Sequence, residues 1–519
     1  LFSQNPDCLC MVLALLGAAV GSYLGGAPAC APGWRRSAVR CQVPVPAATS
    51  EFVASPKEIK VRWLKEALEL AAPPSESEAI AAIRDAALVP AQQVQLPGRK
   101  DEAWRQTDMT SLFATRMVAP LEPPSGALVE QYLEEESAGM RLAFVNGIYS
   151  EELSDLSALP EGVQAGSLAS MGPDAQAEAL PMLRQLPEEG QDKRTALGCY
   201  WHAAVNQASL GDIACVRVAE GEQVEMPLAV VMVSTGPMGK DAGVGTGSEA
   251  AISHPNLLVQ VGTGASLTLM QQYAGTGAYF TNALSRFQVG EEATLRHAYV
   301  QEQSGSCVHL DSVCVGVGRH GRYEVHAVQM GSKLARLNMD VRLLAPFASC
   351  DVNGIALASE RQVSDLHSAI THVSRDCESA QEQRNAISDR ANGIWRGAVR
   401  VPRGSDNSTA NQLCRSLLLS DKARVHVTPT LEIKTDDVVC THGATVADLD
   451  DEMVFYLQSR GLDRLGARSL LLQGWAREVM ANVPSPGAQE RAIAKAAELS
   501  PEDRSKLENM RQVRQMQSI

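Results

Sequence analysis

The sequence predicts a mainly β protein whose strand-rich core is flanked by helical regions at both ends. Between about residues 199 and 446, short alternating or β-rich runs follow one another, and Gly- or Asp-bearing turns separate them. Aromatic residues make up only 4% of the 519 residues while glycine occurs 40 times, which favours a core of stacked small and β-branched side chains. A β-sandwich and a β-helix both fit this pattern, and the pattern alone does not separate them.

The elements follow in order along the chain. Residues 57–71 and 76–88 show helical spacing of apolar side chains, and no long helical pattern interrupts the strand-like runs that come later. After these runs, Asp448 or Asp450 can cap one helix and Asp463 can cap the next. The predicted organisation is a presequence (1–50), a mainly helical region (51–190), a β core (191–447), a helical domain (448–483) and a charged helical extension (484–519).

Charge and cysteine spacing exclude several functions. The formal net charge is −14, and an acidic surface repels phosphate backbones, so we expect no nucleic-acid partner. Twelve cysteines are scattered, and none after residue 50 forms the tight pairs typical of a zinc finger or a four-cysteine cluster. Gly239-Lys240 lacks the flanking residues of a phosphate-binding loop, so we expect no ATPase site in this chain.

The segment from residue 417 to residue 461 carries the most informative motif. Val438-Val439-Cys440 reads as a strand, and a period of two would place Cys440 and His442 on one face. A thiol beside an imidazole suits soft metal binding or sulfur chemistry. The alternative for such a pair is a buried thiol and a hydrogen-bonded imidazole with only structural roles.

The longer block around this pair resembles the signature of SufD, a scaffold subunit of the Suf iron–sulfur cluster assembly machinery. Upstream, a GRK-E-WR-T segment and a later FVNG segment resemble further SufD blocks, so the resemblance covers roughly residues 96–483. The matching residues are Leu419-Ser420-Asp421-Lys422-Ala423-Arg424, Pro429, Leu431-Glu432-Ile433, Asp436-Asp437-Val438, Cys440, His442-Gly443-Ala444-Thr445-Val446, Phe455-Tyr456-Leu457, Ser459-Arg460-Gly461, Gly98-Arg99-Lys100, Glu102, Trp104-Arg105, Thr107 and Phe144-Val145-Asn146-Gly147.

The resemblance implies a right-handed parallel β-helix and a non-hydrolytic scaffold role. It implies pairing with a SufB-like paralogue, docking of a SufC-like ATPase, a transient iron–sulfur cluster shared with SufB, and a reduced flavin in the complex. Cys440 and His442 are then the expected cluster-assembly residues, with His442 as the candidate iron ligand. A second polar cluster is expected at Asp365, His367 and His372, with structural hydrogen bonding as its alternative. The expected SufC-binding residues are Phe455, Tyr456, Leu471 and Trp475.

Two other functions remain open from the sequence. One is a β-helical enzyme acting on a polysaccharide, although no convincing group of carboxylates is visible for it. The other is a purely structural SufD paralogue without a cluster role.

The first fifty residues predict a targeting segment. Residues 8–24 are largely apolar, and residues 8–50 contain no acidic residue but include Arg35, Arg36 and Arg40. This arrangement resembles a bipartite plastid presequence, so we expect a plastid protein without stable membrane insertion of the mature chain. The alternative is a single membrane anchor.

Overall fold

Most of the chain forms a parallel β-helix, and the strands that the sequence pattern indicates form its successive turns. The computed structural model describes residues 55–70, 77–120, 137–190 and 196–500. The predicted presequence and the end of the predicted extension, residues 501–519, lie outside the described residues. The described residues all belong to one compact unit.

The strands alternate between two sheets, so that each coil contributes one strand to each. The strand order in one sheet is β20-β18-β16-β14-β12-β10-β8-β5-β4. The strand order in the other sheet is β21-β19-β17-β15-β13-β11-β9-β6-β2-β3. Together the two sheets form about seven turns of the β-helix. The strands are β1 Arg116–Val118, β2 Arg141–Val145, β3 Ile148–Tyr149, β4 Val163–Ser167, β5 Ala214–Val218, β6 Leu228–Thr235, β7 Glu249–Ser253, β8 Asn256–Val261, β9 Ser266–Thr276, β10 Tyr279–Val289, β11 Thr294–Gln301, β12 Val308–Val317, β13 Arg322–Gln329, β14 Leu334–Leu343, β15 Ser349–Ala358, β16 Val363–His372, β17 Glu378–Ile387, β18 Asn392–Val401, β19 Ser408–Leu418, β20 Arg424–Ile433 and β21 Val438–Ala447.

Stacked aliphatic side chains fill the lumen between the sheets. Val261, Val289, Val317 and Leu343 occupy matching positions of four neighbouring strands, and all four are buried. Because parallel strands repeat every 4.7–4.9 Å or so, such a ladder buries each side chain against the next. The β-helix is therefore confirmed, and the β-sandwich alternative is wrong.

Helices cover the start of the β-helix. The region predicted as mainly helical also contributes the four short strands β1–β4, and a buried helix, α5, lies within the predicted β core. A capping box between Ser55 and Glu58 begins α1, and its Trp63 packs edge-on against Phe113 and Trp201. The helices here are α1 Pro56–Glu69, α2 Glu78–Gln93, α3 Thr110–Phe113, α4 Pro173–Arg184 and α5 Tyr200–Ser209.

Three helices follow the last strand within the described residues: α6 Asp451–Ser459, α7 Arg464–Met480 and α8 Pro486–Ala497. Of the two residues that the sequence offers as the cap of α6, Asp450 takes this position, and Asp463 caps α7 as predicted. Small and aliphatic side chains of α7 and α8 form one core cluster with the outer face of the β21–β3 sheet. Arg491 of α8 adds a bidentate ion pair to Glu302, at 2.7 and 2.9 Å. The helix α8, which begins the predicted charged helical extension, is thus attached to the β-helix.

None of the described helices combines the length and the apolar character that crossing a bilayer requires.

Buried histidines make the fold acid-sensitive, which gives a first prediction. Burial lowers the pKa of six histidines, so between about pH 6.5 and pH 4 the unfolded chain binds protons that the folded chain excludes. Stability should therefore fall as pH falls through this window, by up to about 1.4 kcal/mol per pH unit for each histidine. The six are His202, His254, His297 and His309, with a pKa of about 3, and His367 and His372, with a pKa of about 4.

Carboxyl groups whose pKa is raised by burial oppose this trend. Burial raises the pKa of Asp311 to about 7 and that of Asp340 to about 6, so their protonated forms favour the folded state at low pH. The histidines outnumber them, and urea unfolding should give a smaller free energy of unfolding at pH 5 than at pH 7.5. An equal or greater free energy of unfolding at pH 5 would show that the buried histidines do not dominate the pH dependence of stability.

Candidate functional site

The last coil of the β-helix is open at one end. β20 and β21 stand at the ends of their sheet orders, so each pairs with only one strand among the described residues. Residues of β21 are exposed or half-buried along its whole length, whereas those of β10 are almost all buried. Two ten-residue strands thus present unpaired N–H and C=O groups, together with exposed apolar side chains at Ile433, Val439 and Val446. A long edge of this kind is a surface for pairing with another chain.

Cys440 lies on this edge strand and faces the lumen. It stands beside buried Ala410 of β19 and packs, half-buried, against the luminal core. Burial raises the pKa of the Cys440 thiol, and a backbone hydrogen bond with Ala410 only partly opposes that effect. The thiol therefore keeps its proton at neutral pH until a metal or another cation displaces it.

His442 is exposed on the same strand and ends a polar ladder. It stands in register with Gln412 of β19, which stands in register with Gln381 of β17. Gln412 donates to Oε1 of Gln381 at 3.3 Å, while its own buried Oε1 has no hydrogen-bond partner among the described residues. The Gln412 Oε1 atom next to His442 can accept a hydrogen bond from one ring N–H. This bond would orient the other ring nitrogen outward, as carbonyl partners do for metal-binding histidines.

The described part of the chain holds no group of three or more His, Cys, Asp or Glu side chains that could bind a metal ion together. Cys440 and His442 therefore provide at most two ligands at this edge. A four-coordinate iron site at His442 needs ligands from outside these residues.

Asp365 and His367 lie in a different place and fasten the N-terminal segment. Both side chains are buried on the outer face of β16, where His367 Nε2 is 3.0 Å and Arg336 is 3.2 Å from the Asp365 carboxylate. Thr107 donates to the same carboxylate, and the Arg336 guanidinium lies 3.8 Å from the centre of the Trp104 ring. Residues of the GRK-E-WR-T segment thus contact the β-helix through this cluster.

Charge attraction sets the protonation of this cluster. Burial alone would raise the pKa of Asp365, but His367 and Arg336 outweigh it and lower that pKa to about 2. Burial and Arg336 together lower the pKa of His367 to about 4, so its ring is neutral at pH 7. A neutral ring fits the contacts, because Nδ1 accepts from Arg336 at 2.9 Å and Nε2–H points at Asp365.

His372 is separate from these two residues. It follows Leu343 at the end of the aliphatic ladder inside the lumen, and its Nε2 lies 2.8 Å from the Ser379 hydroxyl. The structure therefore brings Asp365 and His367 together but not His372.

The predicted docking residues of the helical domain divide into two pairs. Phe455 and Tyr456 of α6 are 72% and 54% exposed. Leu471 and Trp475 of α7 are half-buried, and the Trp475 ring packs near the Arg384 guanidinium at 5.8 Å. Met453, which the sequence placed in the apolar stripe of α6, is also exposed, and Val454 is the buried residue there.

The sequence matches two family models. Residues 70–229 match the SufBD protein N-terminal region, and residues 244–475 match the SufBD core domain of SUF system FeS cluster assembly. Together the two matches span most of the chain. The chain belongs to the SufBD family. It is a SufD-like protein of iron–sulfur cluster assembly.

Similar proteins agree with this assignment. An iron–sulfur cluster assembly SufBD family protein of Synechocystis is 28% identical over 77% of this chain and 86% of its own length. The Arabidopsis thaliana protein named ABCI7, chloroplastic, is 29% identical over 83% of this chain and 89% of its own length. The iron–sulfur cluster assembly protein SufD of Escherichia coli is 24% identical over 78% of this chain and 90% of its own length.

The sequence did not point to two residues that the structure places at these sites. One is Arg336, beside Asp365 and His367, and the other is Gln412, beside His442. Arg336 carries no local motif, yet it joins Trp104 to Asp365 and His367 across more than 200 residues. Gln412 was also missed. Its position one coil before His442 becomes visible only once the strands are in register.

Proposed function

We propose that this protein is a non-ATPase scaffold subunit that pairs with a SufB-like paralogue and helps to assemble a nascent iron–sulfur cluster at the shared interface. The observation that carries the proposal is the open last coil, which places His442 and Cys440 on an unpaired edge. The cluster is the cargo of this site, since assembly requires both binding and release.

The edge supports pairing with a chain of the same fold. A paralogue that presents its own open coil continues both sheets and covers Ile433, Val439 and Val446, which are otherwise exposed to water. Such pairing places ligands of the second chain opposite His442. It also supplies the ligands that the described residues of this chain lack.

In this arrangement His442 binds iron through the ring nitrogen that faces the partner, and Gln412 orients the ring. Cys440 is the supporting thiol. Its raised pKa keeps the sulfur in the protonated form until iron or a sulfur donor arrives, which suits a transient site better than a permanent one.

Replacing Val439 and Val446 with lysine is expected to abolish pairing with the SufB-like partner. Both side chains are largely exposed, at 62% and 50%, so the variant should fold, while two charges on the edge oppose strand addition. Affinity in a purified two-component binding assay should fall by more than about tenfold, or about 1.4 kcal/mol.

The matched control makes the same substitution, valine to lysine, at Val61 and Val89, which are similarly exposed on α1 and α2. It should bind the partner as the wild type does. Unchanged affinity of the edge variant would place the interface elsewhere.

The helical domain is the proposed docking site of a SufC-like ATPase. Phe455 and Tyr456 project from α6, while α7 and α8 cover the β-helix. Deleting residues 448–519 would remove the proposed site, but it would also uncover the apolar outer face of the sheet. Point substitutions therefore test the site more cleanly.

Phe455→Ser with Tyr456→Ser is expected to weaken SufC binding by at least about tenfold while leaving SufB pairing intact, because two exposed aromatic anchors are lost. A pull-down with both partners measures this. Met238→Ser with Ile148→Ser, which removes two exposed apolar side chains elsewhere, serves as the control. SufC retention equal to that of the control would contradict the assignment.

We also propose a plastid location. The support is the chloroplastic name of the Arabidopsis relative and the acid-free, basic stretch at residues 8–50. N-terminal sequencing of protein from isolated plastids should find a mature start near Glu51.

The reduced flavin that the resemblance implies for the complex also stays a prediction.

A further inference from the structure

Three successive coils carry the same turn at the same end of the β20–β4 sheet. The turns have the sequence serine, acidic residue, basic residue at 359–361, 388–390 and 420–422, and each leads directly into a strand, β16, β18 or β20. Each turn closes with an amide that donates to the serine carbonyl: Gln362 to Ser359 at 3.1 Å, Ala391 to Ser388 at 3.1 Å, and Ala423 to Ser420 at 3.2 Å.

The register of the strands stacks these turns. Val363 pairs with Asn392, and Asn392 pairs with Arg424, so equivalent turn residues lie one strand spacing apart, at about 4.8 Å. The basic residues Arg361, Arg390 and Lys422 therefore form a ladder of cations along the outside of the sheet.

The ladder lines a recess of about 930 Å³ between the last coils and the N-terminal segment. Its volume lies within the range of small-molecule sites. Arg105 comes from the N-terminal segment, and Arg424 begins β20. The lining is completed by Gln106, Asn392, Asp421 and His426.

The five cations of the recess form no ion pair with any described carboxylate, although one acidic residue, Asp421, shares the lining. The neighbouring Asp389 carboxylate accepts a hydrogen bond from the backbone N–H of Glu360 at 2.8 Å. Like charges on adjacent strands destabilise a sheet, and this protein carries a net charge of −14. A recess lined by five cations and one carboxylate, in a protein with an acidic net charge, favours an anionic ligand.

We propose that this recess binds a small molecule that bears at least two adjacent phosphate groups. Guanidinium groups bind phosphate oxygens in bidentate fashion, and a ladder with a spacing of about 4.8 Å can contact neighbouring phosphates with successive cations. The recess is confined to these turns, the starts of β18 and β20, and residues 105–106, which suits a diphosphate and not a polynucleotide. Nothing in this inference depends on the cluster-assembly role of His442.

Isothermal titration calorimetry on the intact chain tests the proposal, with inorganic pyrophosphate, orthophosphate, ADP and AMP as probes. The wild type should bind pyrophosphate at least about tenfold more tightly than orthophosphate, because two phosphates contact more of the ladder. Binding of both pyrophosphate and ADP indicates a nucleotide ligand, whereas binding of pyrophosphate alone indicates an inorganic one.

The decisive variant combines Arg361→Gln, Arg390→Gln and Lys422→Gln, all at exposed positions. Its pyrophosphate affinity should fall by at least about tenfold, and the salt dependence of binding should become weaker. The control combines Arg403→Gln, Lys434→Gln and Arg477→Gln, which removes the same charge at exposed positions outside the recess. The proposal is overturned if the two variants bind equally, or if the wild type shows no binding at millimolar pyrophosphate.

Discussion

Replacing His442 with alanine is expected to leave the SufB-paired complex assembled but to lower its cluster content by at least about tenfold after anaerobic reconstitution. The reason is that His442 is exposed at the unpaired edge and provides one of at most two candidate ligands there. Changes in the residues that merely orient a ligand already cost 10–100-fold or so in metal affinity, so loss of the ligand itself should cost no less. Iron and sulfide determination on the purified complex measures the effect.

His320→Ala is the matched control, because His320 is also an exposed histidine but lies in a turn away from the last coil. Its complex should reach wild-type cluster content. Cys440→Ala should lower the content by a smaller or comparable factor. Full cluster yield in a correctly assembled His442→Ala complex would remove His442 from the site and leave a structural paralogue as the better description.

Replacing Asp365 with alanine should produce the second large effect, a loss of about 3–5 kcal/mol in the free energy of unfolding. The change leaves the fully buried Arg336 guanidinium without its carboxylate partner. It also removes the acceptor of Thr107 and of His367. Urea unfolding at pH 7.5 measures the loss.

Two further variants separate the buried charge from a general effect of substitution. Glu249→Ala breaks the largely exposed pair with Arg116 and should cost less than about 1 kcal/mol. Arg336→Met combined with Asp365→Leu removes both charges together, so it should recover much of the stability lost in the single variant. A single Asp365→Ala variant as stable as Glu249→Ala would contradict this account of the cluster.

Local patterns predicted a large part of the fold. Alternation located the strand-rich core between about residues 199 and 446. Asp450, one of two candidate caps, and Asp463 marked the starts of α6 and α7 because a cap is a local interaction. The choice between a sandwich and a β-helix depends on which strands pair. The pairs here join residues about 30 positions apart, as in Val363 with Asn392, and no local pattern reports that pairing.

For the candidate site, too, the local pattern was predictable and the contacts between distant segments were not. The strand pattern correctly placed Cys440 on a strand, which also holds His442. A period of two applied to β16 would have separated the outward Asp365 and His367 from the inward His372. It could not show that Arg336 and Trp104 complete the outer cluster, or that β21 has a free edge. Both depend on contacts between distant segments.

The most direct test of the central claim is pulsed EPR on the reduced cluster of the complex, with ¹⁵N-histidine in this chain and an unlabelled SufB-like partner. The account predicts a strong coupling to one directly bonded ¹⁵N nucleus, which disappears in His442→Ala and persists in His320→Ala. A cluster that assembles in the wild-type complex without any ¹⁵N coupling from this chain would contradict it.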